Sequence, residues 1–148
     1  MLKNIHPIIS AELIHVLMLM GHGDDLVICD VNHPAVTIAK ETTYGSLISL
    51  TGCSIPEATK AILSLMPLDT FVEQPVMRMQ MVGNPTGQVP IFGAMQKTLD
   101  DCEGRAVGVK ALERFEFYAA AKKSFAIVRT SDPGPYGCFI LRKGVITL

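Results

Sequence analysis

The chain has 148 residues, 49% apolar and 18% charged, the proportions of a single globular domain spanning residues 1–148 rather than of a disordered segment. Thirteen basic against fourteen acidic residues leave a formal charge of −1, with no lysine or arginine cluster to neutralise a row of phosphates, so a nucleic-acid partner is not expected. The apolar run at residues 13–20 contains His15 and falls short of the ~20 residues a membrane span needs; the first residues lack a signal peptide's apolar stretch. These features predict a soluble, cytoplasmic chain with no membrane partner. Cys29, Cys53, Cys102 and Cys138 are far apart and form no C-x-x-C pair, which predicts free, buried thiols. Eight methionines and a mean hydropathy of +0.34 fit self-association.

Ser10 as N-cap and Gly21 as a C′ glycine bracket a first helix over residues 11–20, with Leu13, Leu17 and Met20 at helical spacing. Residues 25–30 read as a strand buried on both faces, ending at Asp30, and residues 45–50 repeat the signal. Ser54-Ile55-Pro56-Glu57 is a capping box that opens a helix to about Met66. Met77, Met79 and Met81 alternate with polar residues as in a half-exposed strand, their side chains facing the core. A helix over residues 90–102 stopping at Gly104, a short strand near 107–110 and a helix over about 112–123 follow. Strands over 125–130 and 138–142 flank a Pro/Gly-rich loop too long for a tight hairpin. Alternating strands and helices predict an α/β fold, a three-layer α/β/α sandwich around one central, mostly parallel sheet. In such sheets ligands sit beyond the carboxyl ends of the strands, which directs attention to Asp30 and to the loop after Thr130.

Met20-Gly21-His22-Gly23-Asp24 sets an imidazole between two glycines, uncrowded and open to a substrate. With an ordinary pKa near 6.5, such a histidine can hold or release a proton near neutrality. The alternative is a polar turn that ends a helix. Asp30 at a strand end can accept hydrogen bonds from hydroxyls or from a histidine, or can cap an Asx-turn. Arg114 and Tyr118, four apart, project from one helix face and suit a polyhydroxylated ligand, unless Arg114 pairs with Glu113 or Glu116. Tyr136-Gly137 is a phenol capping a loop or one lying over a pocket. His6, His15 and His33 carry less information, and no histidine pair has metal-ligand spacing, so no metal site is expected. Neither G-x-x-x-x-G-K-[ST] nor G-x-G-x-x-G occurs, which disfavours nucleotide binding.

In succession along nearly the whole chain, Met1-Leu2-Lys3, Ile8 to Ser10, Met20-Gly21-His22-Gly23-Asp24, Asp30 with Pro34-Ala35, Arg114-Phe115-Glu116-Phe117-Tyr118, Lys123 to Val128, Tyr136-Gly137 and Leu141-Arg142-Lys143-Gly144-Val145 resemble the RbsD/FucU family of sugar mutarotases. The stretches from Asp30 to Ala35 and from Arg114 to Tyr118 look closer to its L-fucose branch than to its D-ribose pyranase branch. The resemblance implies a cofactor-free enzyme assembled as a ring-like homo-oligomer, commonly a decamer, with sites near subunit contacts. It implies His22 as the proton donor, substrate contacts from Asp30, Arg114 and the Tyr136-Gly137-Cys138 segment, and Tyr118 lining the pocket. Asp30 would orient His22 or the sugar hydroxyls. Fucose-type members often carry asparagine after Tyr-Gly; here Cys138 stands there, and a thiol does not replace an amide's donor and acceptor. The expected activity is anomer exchange on L-fucose or a related sugar, with ribose ring-form exchange or non-catalytic sugar binding as alternatives.

Overall fold

Ser10 and Ser54 start the two helices that their positions predict. The Ser10 side chain accepts the Leu13 amide, and Ser54 and Glu57 form a complete capping box with proline in the first turn. In the computed structural model, which describes residues 2–147, the chain runs α1 (Ala11–Leu19), β1 (Asp25–Cys29), α2 (Ala35–Ala39), β2 (Leu47–Ser49), α3 (Ile55–Leu63), β3 (Val76–Met79), α4 (Pro90–Glu103), β4 (Val109–Leu112), α5 (Arg114–Lys122), β5 (Ala126–Arg129) and β6 (Cys138–Arg142). Met1, the first residue of the opening motif, and Leu148 lie outside the described residues.

The strands form one sheet in the order β2-β5-β1-β6-β3-β4. β1, β2 and β5 run parallel, as do β3 and β4, and β6 lies antiparallel between β1 and β3. The sheet is therefore mostly parallel, as expected. Side chains of β1 alternate between two cores. Leu26 and Ile28 join Leu13 and Val16 of α1, Ile62 of α3 and Leu99 of α4; Val27 and Cys29 join Ile38 of α2 and Phe117 and Ala121 of α5. Helices thus cover both faces. With each fully buried aliphatic side chain contributing roughly 1.5–3 kcal/mol, β1 is firmly held, and its two ends are fixed relative to each other.

Four expectations need correction. The helix α2 follows Pro34 without any capping side chain and is held by burial of Ala35, Ile38 and Ala39, so no polar signal marked it. β3 ends at Met79: Met77 and Met79 pack on the α2/α5 side, but the chain turns at the Met81–Asn84 bridge and Met81 packs on the opposite core. α1 ends with Met20 in an extended conformation, and the left-handed residue is Gly23 (φ +85°), not Gly21. All four cysteines are free, but Cys102 is exposed. No helix among the described residues is long and apolar enough to cross a membrane.

Candidate functional site

Where the parallel strands end and β6 begins, a cleft of about 330 Å³ opens, lined by Asp30, Arg114, Tyr118, Tyr136 and Cys138 together with His33, which the sequence reading set aside. Asp30 anchors it. This residue is only 2% exposed. Its Oδ1 accepts the amides of Asn32 (2.8 Å) and His33 (3.1 Å), and its Oδ2 accepts the Gly137 amide (2.9 Å). The Asx-turn and the cleft wall are therefore one structure rather than rival readings. Burial pushes the Asp30 carboxyl above its ordinary pKa, against the opposing pull of these amides. Gly137 packs closely: a Cβ there would meet the Ile55 side-chain tip and lie 3.2 Å from Asp30 Cβ, so any larger residue must push Ile55 aside and crowd Asp30.

Arg114 opens α5. The anticipated pairing with Glu113 or Glu116 does not occur, because both carboxylates form the helix's capping box. The guanidinium instead lies 4.6 Å from the centre of the Phe115 ring, and its Nε is buried without a hydrogen-bond partner. One turn later Tyr118 faces the same cleft, its phenol pKa raised chiefly by burial. Tyr136 adopts a left-handed φ of 61°, uncommon for a bulky side chain. Its Oη accepts the Val82 amide (3.1 Å), which ties down the loop after β3 and leaves the phenol proton to donate elsewhere.

Behind these groups, Cys138 Sγ lies 3.3 Å from His33 Nδ1 and 3.8 Å from Asp30 Oδ2. Burial pushes the thiol pKa well up, so the sulfur stays protonated. Burial also lowers His33 to about 4. The unfolded chain, with a histidine pKa near 6.5, takes up this proton first, so His33 supports stability fully above about pH 6.5 and loses that contribution as the pH falls towards 4. The loss amounts to on the order of 3 kcal/mol, offset in part by Asp30, whose raised pKa favours the folded state on acidification. Urea melts at a series of pH values should show this slope between pH 6.5 and 4, and His33→Phe should flatten it.

His22 lies elsewhere. It precedes β1 while Asp30 follows it, so roughly 16 Å of strand separates them at about 3.3 Å per residue. Asp30 therefore does not orient His22 within one chain. That role belongs to Asp69, whose Oδ1 is 3.2 Å from His22 Nε2. Burial opposes ionisation of Asp69, but the Phe71 amide, His22 and Arg142 outweigh it and hold its pKa low. Phe71 meets the imidazole edge-on, with ring centres 5.1 Å apart. The loop is pinned by Lys143, whose Nζ donates to the Leu17 and Met20 carbonyls, and by the Asp69 amide bonding to Arg142 O (3.0 Å). Asp69 is 47 residues from His22 in sequence, and only the pairing of Leu68 with Lys143 brings it there, so no local spacing could have marked it. Among the described residues no group of three or more His, Cys, Asp or Glu side chains is gathered as a metal would require.

The sequence pattern of the RbsD / FucU transport protein family matches residues 3–146. Fucose mutarotase of Homo sapiens is 42% identical over 154 residues, covering 99% of this chain and 96% of that protein. The crystal structure of the fucose mutarotase in complex with L-fucose from Streptococcus pneumoniae superposes with a TM-score of 0.87 at 36% identity, covering 99% of this chain and 100% of that one. RbsD of Bacillus subtilis, complexed with D-ribose, shares the fold at a TM-score of 0.75 and 20% identity, over 99% of this chain and 100% of that one. With the family pattern spanning nearly its whole length, the chain belongs to the RbsD / FucU family.

Proposed function

We propose that this chain is an L-fucose mutarotase that interconverts the α and β anomers by acid/base-assisted ring opening. The reading rests on the cleft, which gathers a carboxylate, a guanidinium and two phenols in one pocket, in a chain 36–42% identical to proteins named fucose mutarotase. Ring opening delivers a proton to the ring oxygen as its bond to the anomeric carbon breaks, while the anomeric hydroxyl gives up its proton and becomes the aldehyde oxygen. Rotation of the aldehyde and reclosure on its other face complete the exchange. Substrate and product share one oxidation level, so the chemistry calls for no cofactor. His22, oriented by Asp69, carries the proton. Arg114, Tyr118, Tyr136 and the Asp30-Gly137-Cys138 wall fix the sugar.

Because His22 and the cleft occupy opposite ends of β1, a ring-like homo-oligomer, in this reading a decamer, brings one subunit's His22 to the next subunit's cleft. Both ends carry apolar surface suited to such docking: Met18, Leu19 and Phe71 are exposed around His22, and Val82 and Phe115 around the cleft. Two different patches meeting head to tail generate a closed ring when the rotation closes. The chain acts as one domain, in the cytoplasm. Saturation-transfer NMR on equilibrated L-fucose and D-ribose tests the activity: exchange between the L-fucose anomeric protons should exceed the protein-free rate. No acceleration with L-fucose overturns the reading, and acceleration confined to D-ribose moves it to the ribose branch.

A further inference from the structure

Three buried side-chain polar atoms among the described residues have no hydrogen-bond partner: His33 Nε2, Arg105 Nη2 and Arg114 Nε. Two of the three belong to residues of the one cleft. A buried polar atom left unpaired costs about 1–3 kcal/mol, so two such atoms in one wall need a reason, and a hydroxyl-rich ligand supplies it. Arg114 already has a part in sugar binding. His33 does not, and it is the better built of the two.

Its ring is held on several sides. The His33 amide donates to Asp30 Oδ1, the ring meets Phe117 and Tyr118 edge-on with centres 5.9 and 5.4 Å apart, and Nδ1 contacts the Cys138 sulfur at 3.3 Å. The residue is 7% exposed. With Nδ1 engaged by the thiol, Nε2 is the only ring nitrogen left for a ligand. A sugar hydroxyl both donates and accepts, so it pairs with Nε2 in either tautomer. Cys138 stands where fucose-type members often carry asparagine, an amide that could itself meet a hydroxyl; here the sulfur meets the imidazole behind it.

Building on the sugar-binding reading above, we propose that His33 is a further substrate-recognition residue, binding one sugar hydroxyl through Nε2, with Cys138 as the positioning residue that holds the imidazole. The pair does the work of the missing amide and sets which hydroxyl pattern the cleft accepts. Nε2 is itself buried, so the hydroxyl reaches it as side chains of the cleft wall adjust on binding.

The test follows the imidazole nitrogens and the Gly137 amide by long-range and ordinary ¹H–¹⁵N correlation NMR while L-fucose, and separately D-ribose, is added to the full-length protein. Saturable movement of His33 Nε2 together with the Gly137 signal is expected. In exchange assays His33→Phe should raise KM for the bound sugar roughly 3- to 10-fold, the value of one neutral hydrogen bond, with kcat changed less than about 2-fold. Cys138→Ala, which removes the partner of His33 Nδ1, should raise KM by a smaller factor than His33→Phe, and Cys138→Ser, which keeps a donor beside Nδ1, should raise it less than Cys138→Ala. Movement of the Gly137 signal with a static Nε2 overturns the assignment of His33 while leaving sugar binding intact. So does an unchanged KM in His33→Phe. If neither signal moves with either sugar, the sugar-binding reading falls and takes the His33 assignment with it.

Discussion

Replacing His22 with alanine should slow L-fucose anomer exchange by about 10²- to 10⁴-fold, the usual value of one positioned acid or base. Sugar binding should change far less than the rate, because Arg114, Tyr118, Tyr136 and the Asp30 wall still hold the sugar. Stability should also hold. The His22 side chain is 43% exposed and its one ion-pair contact is Asp69, an interaction worth at most about 1 kcal/mol at such exposure. Asp69→Asn keeps the imidazole in place but removes the charge facing Nε2, so it should slow exchange by a smaller factor and shift the pH profile. Both variants are read by saturation transfer at equal folded concentration, with thermal melts alongside. Wild-type exchange in His22→Ala would falsify the assignment of proton transfer to this residue.

The second large effect concerns Asp30. Alanine there leaves the amides of Asn32, His33 and Gly137 without their acceptor in a buried wall. At about 1–3 kcal/mol for each unpaired group, and with water entering the space to satisfy some of them, the net loss should be on the order of 3–5 kcal/mol. L-Fucose binding should vanish at the same time, because the Tyr136 to Cys138 segment is aligned by these bonds. Asparagine retains an oxygen for Asn32 and His33 but turns a donor towards the Gly137 amide, so Asp30→Asn should lose less stability and still bind poorly. Urea unfolding and sugar-induced stabilisation measure the two quantities separately. An Asp30→Ala protein with the wild-type urea midpoint and saturable L-fucose binding contradicts this role.

The elements with local signals were legible in the sequence. Ser54 and Glu57 are three residues apart, and that spacing alone defines the box that starts α3. Gly104, with φ of 66°, ends α4 where glycine after a helix is expected to. Asp30 and Tyr136 were found because the ends of parallel strands and the loop after Thr130 are where an α/β sheet leaves room, and Arg114 and Tyr118 because a spacing of four sets them on one helix face. Contacts set by tertiary pairing were not legible. Asp69 reaches His22 through the pairing of Leu68 with Lys143 just beyond β6, and His33 meets Cys138 across 105 residues of chain. Glu113 and Glu116 read as ion-pair partners of Arg114, and the helix start at Arg114 makes them the capping box of α5 instead. Sequence order also concealed that His22 and Asp30 sit at opposite ends of one strand. Eight positions apart in a buried strand means distance, whereas in a loop it could mean contact.

That separation makes the sharing of each site between two subunits the claim most worth testing. His22→Ala, impaired in proton transfer, and Arg114→Ala, impaired in sugar binding, are co-expressed with different tags, purified as mixed assemblies and assayed for L-fucose anomer exchange at a sugar concentration where each alone is slow. If His22 of one subunit serves the cleft of the next, random mixing in equal amounts restores an intact pair at about one contact in four, and about a quarter of the wild-type rate should return. A mixed assembly no faster than either variant alone, with both tags present in the same particle, contradicts the shared site.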